Sequence, residues 1–211
     1  MQSGPTTLHC FRKGPGHVLF YVPAFTWVQI GGDFEEVSGD SLDNAALVDA
    51  TDLENVVSPW NPDPDDTLNA VQHFEDDEDN RRYMVGGAFE EVDADSHEHF
   101  AVLDSVGELL PDSADADDAV HAIDFHATSG RFAVGGEFGE FDGEPREGLA
   151  MLDLDGEELD TQETSVAIDG VVLGLSQDED HVAVAGTFQN VDGEYHAGIV
   201  LLDAETLEPV W

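Results

Sequence analysis

A short pattern occurs four times along this chain, and its spacing restricts the possible folds more than any other feature. In each copy, a stretch with a strand pattern leads into Gly-Gly, or Ala-Gly in the last copy. A Phe and a turn follow, and the turn is acidic in most copies. The four copies read VQIGGDFEEVSG, YMVGGAFEEVDA, FAVGGEFGEFDG and VAVAGTFQNVDG. Their second glycines, Gly32, Gly87, Gly136 and Gly186, are 55, 49 and 50 residues apart. A period of about fifty residues predicts a repeat architecture.

The copies stay in register, without gaps, well beyond the glycines. Two residues after each second glycine stands an aromatic residue: Phe34, Phe89, Phe138 and Phe188. Seventeen residues after it stands an acidic one: Asp49, Asp104, Asp153 and Asp203. Agreement at fixed offsets indicates four copies of one structural unit.

Each copy has the pattern of several short strands. Before the glycines, apolar residues alternate with a period of two, as at Val28 and Ile30 or Val182 and Val184. Another apolar run lies about ten residues earlier, and a third, such as GLAMLD, follows the acidic turn. A weaker fourth strand is predicted near Glu158 to Thr161, and no segment has a sustained helical period.

Four short antiparallel strands in about fifty residues are the size of a β-propeller blade. We therefore predict an all-β fold, a β-propeller of about four four-stranded antiparallel blades, or a fragment of a larger propeller. The approximate blades are residues 17–60, 61–111, 112–161 and 162–211, after a non-repeat segment at residues 1–16. A β-sandwich also has short strands, but it gives no reason for the same side chains to return at fixed offsets.

The repeated pattern resembles the delta-sixty repeat, a propeller repeat of many secreted or surface proteins of bacteria and archaea. The matching residues are Gly86, Gly87 and Phe89, then Gly135, Gly136 and Phe138, the segment REGLAMLDLDG, and WNPDPDDTLNAV from Trp60 to Val71. The resemblance covers about residues 28–211. It implies the propeller fold and an extracellular or cell-surface location, but little about activity, since the family's biochemical function is largely unassigned.

This chain departs from the family pattern in two places. Ten residues after the second glycine, where the family tends to have Arg, stand Leu42, His97, Arg146 and His196. The last copy has Ala185 in place of the first glycine. The Gly-Gly pair is therefore not strictly required by the local backbone.

The two ends of the sequence do not fit whole repeats. A basic stretch at Arg12 and Lys13, followed by an apolar run, has the outline of a signal peptide but lacks a small-residue cleavage site. The run is too short to span a membrane. A misassigned start or a truncated gene is favoured, and a cytoplasmic location is then the alternative. Trp211 corresponds to Trp60, which precedes the next repeat, so further blades or a second chain are expected if the sequence is a fragment.

The net charge of −42 excludes two classes of partner and predicts an unusual solvent. So many carboxylates repel nucleic-acid phosphates and anionic membrane surfaces. They also repel one another at low ionic strength, whereas molar salt shortens the screening length to about 3 Å. No Lys occurs after Lys13. This composition is typical of a halophilic protein; an acidic protein of an ordinary organism, binding calcium, is the alternative.

A phosphate-binding role is not supported for the glycines. A phosphate cradle needs a helix after the glycines, and here acidic residues and no helical pattern follow. The glycines are therefore interpreted as structural. Cys10 is the only cysteine, which excludes an intramolecular disulfide and a cysteine-based metal site.

Two groups of residues are weak metal candidates. In an extended strand His97 and His99 would share one face, and with Glu98 or Asp95 they could touch a divalent metal. Asp153 and Asp155, in DLDGEE, belong to an oxygen-rich segment like a calcium loop, as does NPDPDDT, although neither has the twelve-residue spacing. Surface or turn roles are favoured for both groups, so no dedicated cofactor is predicted beyond weak calcium or salt-cation binding.

No residue set for catalysis stands out. The chain has no Gly-x-Ser-x-Gly motif, and among 48 acidic residues some pair always has a suitable spacing for glycoside chemistry. The sequence predicts a non-enzymatic propeller module that acts as a binding or structural scaffold, with protein or glycan partners left open. The alternative is an enzyme or carbohydrate-binding propeller with a site at the central channel.

Overall fold

The fold consists of strands and turns. A computed structural model describes residues 10–21, 27–49, 51–56, 60–76, 80–111, 113–155, 158–161 and 165–210. These residues contain no helix, and hence none that could cross a bilayer. The strands form small antiparallel sheets, and each larger sheet comes from one continuous part of the chain. The all-β prediction is confirmed, and the assembly of the sheets into a propeller stays a prediction.

The first half of the chain forms two of the larger sheets. Sheet 1 consists of β1 (Cys10–Tyr21), β2 (Trp27–Val37), β4 (Ala45–Asp49) and β5 (Asp52–Val56), with the short β3 (Asp40–Ser41) paired to the end of β2. Sheet 2 consists of β6 (Leu68–Glu75), β7 (Arg81–Gly87) and β10 (Phe100–Leu103), with β7 in the middle. In both sheets the strand that leads into the glycines is flanked by antiparallel neighbours on its two sides.

The second half repeats this arrangement. Sheet 3 consists of β11 (Val120–His126), β12 (Arg131–Gly136), β15 (Leu149–Asp155) and β16 (Glu158–Thr161), in that order. Sheet 4 consists of β17 (Val172–Gln177), β18 (His181–Gly186) and β21 (Ile199–Asp203), also in that order. The fourth strand predicted near Glu158 coincides with β16.

Sheets 2 and 4 have three strands in the described residues, where four were predicted. The segment expected to form a fourth strand contributes a single bridge in each, Leu103 to Leu109 and Leu202 to Pro209. In sheet 2, Pro111 follows Leu110, and proline has no N–H with which to extend the ladder.

A tight hairpin follows the repeated Phe in every copy. In the first copy, the end of β2 turns back and pairs with β3. In the later copies, the hairpins pair β8 (Glu91–Val92) with β9 (Asp95–Ser96), β13 (Glu140–Phe141) with β14 (Glu144–Pro145), and β19 (Asn190–Val191) with β20 (Glu194–Tyr195). Both turn residues have positive φ, for example 52° at Asp142 and 72° at Gly143. Positive φ at both positions defines a type I′ turn, which explains the Asp-Gly and Ser-Gly pairs.

The sheets pack face to face in chain order. We call the surface of a sheet that contacts the next sheet its forward face, and the opposite surface its rear face. Forward-face residues Ala45 and Leu47 cluster with Tyr83 and Val85; Met84, Phe100 and Val102 cluster with Phe132 and Val134; and Leu149 and Met151 cluster with Val182 and Val184. Three junctions thus have the same construction, and burial of these apolar faces stabilises the fold.

The two glycines of the repeat serve different contacts. A Cβ on the second glycine, at Gly87, Gly136 or Gly186, would clash with the backbone carbonyl oxygen that precedes the first strand of its own sheet. A Cβ on the first glycine would meet the next sheet instead, at Val120 from Gly86 and at Val172 from Gly135. The first glycine is therefore required by the neighbouring sheet, and the second by its own.

Candidate functional site

The Asp seventeen residues after the second glycine closes a turn in the three copies whose side chain is described. Asp49 Oδ1 accepts hydrogen bonds from the amide N (2.7 Å) and Oγ1 (2.6 Å) of Thr51. Asp104 Oδ1 accepts from the amides of Val106 and Glu108, and Asp203 Oδ1 from those of Glu205 and Thr206. The hydroxyl and amide of Thr51 lower the pKa of Asp49, and the amides of Thr206 and Glu205 lower that of Asp203. These three carboxylates are thus used in local structure.

A second repeated Asp ties the linker before each first strand to the hairpin of the same repeat, and it was missed in the sequence. Asp65, Asp117 and Asp169 each stand three residues before the apolar residue that begins a first strand. Each Oδ1 accepts two backbone N–H groups of the hairpin that follows: from Glu90 and Glu91, from Gly139 and Glu140, and from Gln189 and Asn190. Bonds from Asn190 and Gln189 lower the pKa of Asp169. The fixed spacing to the strand start was the available signal.

The two candidate histidines do not lie in one extended strand. His99 has a φ of 63°, and its carbonyl oxygen accepts the amide of Gly87, as Gly148 does for Gly136. His97 Nε2 lies 2.8 Å from the carbonyl oxygen of Ala114, an acceptor only, so this nitrogen carries a proton. Nε2 of His97 is thus used in a hydrogen bond. The positive φ of His99 means that the extended geometry needed for a shared face is not present.

Asp153 and Asp155 both lie on β15, and their side chains lie outside the described residues. The backbone register places Asp153 opposite Asp160 and Asp155 opposite Glu158. Acidic residues directly opposite one another repel in an antiparallel pair unless cations screen them. The calcium prediction for this segment stays a prediction.

An acidic cleft of about 550 Å³ lies between the first hairpin and the segment that leads into sheet 2. It is lined by carboxylates, including Glu35, Asp43, Asp63, Asp65 and Glu91. Asp65 Oδ1 is already bonded to backbone amides. Over the described part of the chain, no group of three or more His, Cys, Asp or Glu residues is arranged to hold a metal ion. The cleft therefore attracts cations in general.

The first strands of sheets 3 and 4 share a half-buried polar contact. Gln177 donates from its backbone N to Asp124 Oδ2 (2.8 Å) and from Nε2 to the Asp124 carbonyl oxygen (2.7 Å). Partial burial raises the pKa of Asp124. This carboxylate thus joins the first strands of sheets 3 and 4.

The forward face of sheet 4 is uncovered, unlike the other three forward faces. Ile199 is 52% exposed, whereas Ala45, Phe100 and Leu149, at the same repeat position, are fully buried. Leu173 is also 52% exposed. It corresponds to Asn69, whose side-chain amide donates to the Val120 carbonyl oxygen of the next sheet. Sheet 4 thus presents an apolar surface without a described neighbour.

Comparison with protein-family models gave no match to this chain, and neither did comparison with curated proteins. The geometry of the repeats and of the uncovered face therefore carries the functional argument.

Proposed function

We propose that this chain is a non-catalytic β-propeller-type repeat module, similar to delta-sixty repeats, that acts as a binding or structural scaffold in a high-salt solvent. The observation that carries the proposal is the inter-sheet junction, which recurs with the same parts between sheets 1 and 2, 2 and 3, and 3 and 4. A stack that repeats one junction is how propeller blades and other repeat proteins bury their cores.

The roles of the repeated residues support a scaffold. Every Phe that follows the second glycine is buried, and the repeated Asp residues with described side chains bond to turn amides. The linker Asp residues, such as Asp117, bond the segment before the first strand to the hairpin of the same repeat. These side chains are repeated because each repeat needs the same folding contacts.

A ligand screen in molar salt tests the scaffold proposal against the channel-site alternative. Glycans and divalent cations are titrated against the protein and against Asp124→Asn, with calorimetry as the readout. The proposal predicts no saturable binding that depends on Asp124. Saturable binding that Asp124→Asn weakens at least about tenfold, together with turnover of the ligand, would contradict it.

The salt dependence of folding tests whether the protein requires a high-salt solvent. We expect reversible loss of structure on dialysis to low salt, because −42 of net charge is then unscreened. Circular dichroism before dialysis, after it, and after return to molar salt measures this change. A spectrum that is the same without salt would exclude the high-salt requirement while leaving the repeat fold intact.

A further inference from the structure

The first strands of sheets 2, 3 and 4 share an irregularity at the same position. In each of them the pairing with the second strand skips one residue, which is Asn69 in β6, His121 in β11 and Leu173 in β17. Such a residue forms a β-bulge, which leaves the ladder and redirects its side chain. Because the first strands of successive sheets contact one another, each bulge lies at a junction between sheets.

Two of these bulge residues contact each other across the junction between sheets 2 and 3. Nδ2 of Asn69 lies 3.1 Å from the carbonyl oxygen of Val120 and 3.2 Å from Nδ1 of His121. On the other side of the imidazole ring, Nε2 of His121 lies 2.9 Å from Oε1 of Glu137. Glu137 directly follows β12, and its backbone amide donates to the carbonyl oxygen of Ala119. A polar chain thus runs from sheet 2 through His121 to a carboxylate of sheet 3's own repeat.

The partners in this chain determine where His121 carries its proton. The Val120 carbonyl oxygen only accepts hydrogen bonds, so the Asn69 atom beside it is the amide nitrogen, which only donates. The same nitrogen lies next to Nδ1 of His121, so Nδ1 accepts and is unprotonated. The proton of the neutral ring is therefore on Nε2, which donates to the Glu137 carboxylate. The contact between the two sheets is made by the neutral imidazole.

Protonation of His121 is incompatible with the contact to Asn69. A proton on Nδ1 turns this atom into a donor that faces the amide nitrogen, which is also a donor. Rotating the Asn69 amide by half a turn does not remove the conflict, because its oxygen would then face the Val120 carbonyl oxygen. The charged ring keeps the bond to Glu137, which its charge strengthens. The side chains of His121 and Glu137 are 22% and 46% exposed, so protons from solvent reach them.

The other titratable side chains around β11 lie at its far end or accept backbone amides. The strands that pack against β11 are β6, β7, β12 and β17. Contact between Phe74 and Phe125 shows that the far ends of β6 and β11 lie together. The titratable residues of β6 and β7 are at this end: His73, Glu75, Arg81, Arg82 and Tyr83. So are those of β11 and β12 besides His121: Asp124, His126 and Arg131.

Strand β17 contains no titratable residue. At the His121 end, the linker carboxylates Asp66 and Asp118 accept the amides of Thr67 and Ala119. Glu137 is therefore the charged group that acts on the His121 ring directly.

We propose that the junction between sheets 2 and 3 contains a pH-dependent switch, in which protonation of His121 releases Asn69 of the neighbouring sheet and leaves His121 paired with Glu137. Histidine is the side chain that ordinarily changes its charge between pH 5 and pH 8. The apolar contacts of this junction, such as Met84 with Phe132, do not titrate, so the sheets stay packed while the polar contact opens. The inference goes beyond the scaffold role and does not depend on whether the repeats close into a ring.

Double-mutant cycles, measured by urea unfolding in molar salt at pH 8 and pH 5, test the proposal. Asn69→Ala and His121→Ala, alone and together, give the coupling across the junction. We expect it to be about two- to tenfold in the equilibrium constant of unfolding at pH 8 and to disappear at pH 5. The cycle of His121→Ala with Glu137→Ala should change in the opposite direction, because an ion pair exists only when His121 is charged.

Asn69 and His126 are the matched control pair, because His126 lies at the other end of β11. The cycle of Asn69→Ala with His126→Ala should show no coupling at either pH. A coupling between Asn69 and His121 that is absent at pH 8, or equal at both pH values, would overturn the proposal.

Nitrogen-15 NMR of the wild-type protein in molar salt gives a second readout that does not depend on the folding of a variant. Nδ1 of His121 should be unprotonated at pH 8, and the side-chain amide signals of Asn69 should move over the pH interval in which His121 titrates. A protonated Nδ1 at pH 8, or Asn69 signals that do not follow the titration of His121, would also contradict the switch.

Discussion

The forward faces of sheets 3 and 4 have the same strand layout and opposite surroundings. Leu149 in sheet 3 is buried against sheet 4, while Ile199 at the same position in sheet 4 is exposed. Gly135 lies under Val172, and its counterpart Ala185 lies under no described residue of a next sheet. The comparison shows that the first glycine of the repeat belongs to the junction between sheets. Where no such junction is described, a methyl group is accommodated.

The largest expected effect comes from placing a carboxylate on each of these two faces. Leu149→Asp buries an ion among apolar side chains, and we expect it to lower the free energy of unfolding by at least about 3 kcal/mol, or to prevent folding. In Ile199→Asp the new carboxylate stays in solvent in the monomer, so the free energy of unfolding should change by about 0.5 kcal/mol or less. Urea unfolding in molar salt at low protein concentration measures both. Equal losses would show that sheet 4 is covered.

A smaller effect is expected from exchanging the small residues of the two faces. Gly135→Ala forces Val172 to move and should cost about 1–3 kcal/mol of unfolding free energy. Ala185→Gly is the matched control, with an expected loss of about 0.5–1 kcal/mol from the added freedom of the unfolded chain. Thermal unfolding in molar salt compares the two variants. If Gly135→Ala costs no more stability than Ala185→Gly, the contact assigned to Gly135 and Val172 is contradicted.

The smallest effect concerns a linker carboxylate, Asp169, which bonds to the hairpin that follows β18 in its own repeat. Hydrogen bonds from Asn190 and Gln189 lower the pKa of Asp169 below its ordinary value of 3.8. Its stabilising contribution is therefore complete above about pH 4 and is lost as the pH falls through the folded-state pKa. In Asp169→Asn the acceptor oxygen remains but the titration does not, so the loss of stability below pH 4 should be shallower than in the wild type.

Urea unfolding between pH 2.5 and 7 in molar salt measures how the free energy of unfolding depends on pH. Subtracting the profile of Asp169→Asn from that of the wild type removes the contributions of other carboxylates, apart from any that interact with Asp169. At neutral pH, Asp169→Ala should be less stable than Asp169→Asn, because it leaves two backbone amides without their acceptor. Parallel pH profiles would contradict the assigned role of Asp169.

Much of the fold could be predicted from the sequence because the same strand and turn pattern occurs four times. Period-two alternation before the glycines predicted β2, β7, β12 and β18, and the acidic segment after each repeated Phe predicted a turn there. The shortened fourth strand of sheet 2 is explained by Pro111, which interrupts a ladder whose partner is not evident from local sequence. The condition for His97 and His99 to share a face, an extended strand, is not met, since His99 takes the left-handed position that Gly148 and Gly198 occupy in later copies.

The candidate surfaces were less accessible to sequence reasoning. The linker Asp residues were missed among 48 carboxylates despite their fixed distance from the strand start, and their bonds to hairpin amides show what that spacing is for. Ala185 was recognised as a departure, but its meaning depends on what packs on the neighbouring face. Contact between sheets is a tertiary property, and one copy of a repeat does not reveal whether its neighbour is present.

Thiol labelling at one repeat position tests most directly the claim that three forward faces are covered and one is open. In a Cys10→Ser background, Ala45→Cys and Ile199→Cys are compared in molar salt at low protein concentration, where the monomer dominates. The account predicts rapid labelling of Ile199→Cys, with Ala45→Cys protected at least about a hundredfold by sheet 2. Equal protection of both thiols would contradict it, because sheet 4 would then be covered as the other sheets are.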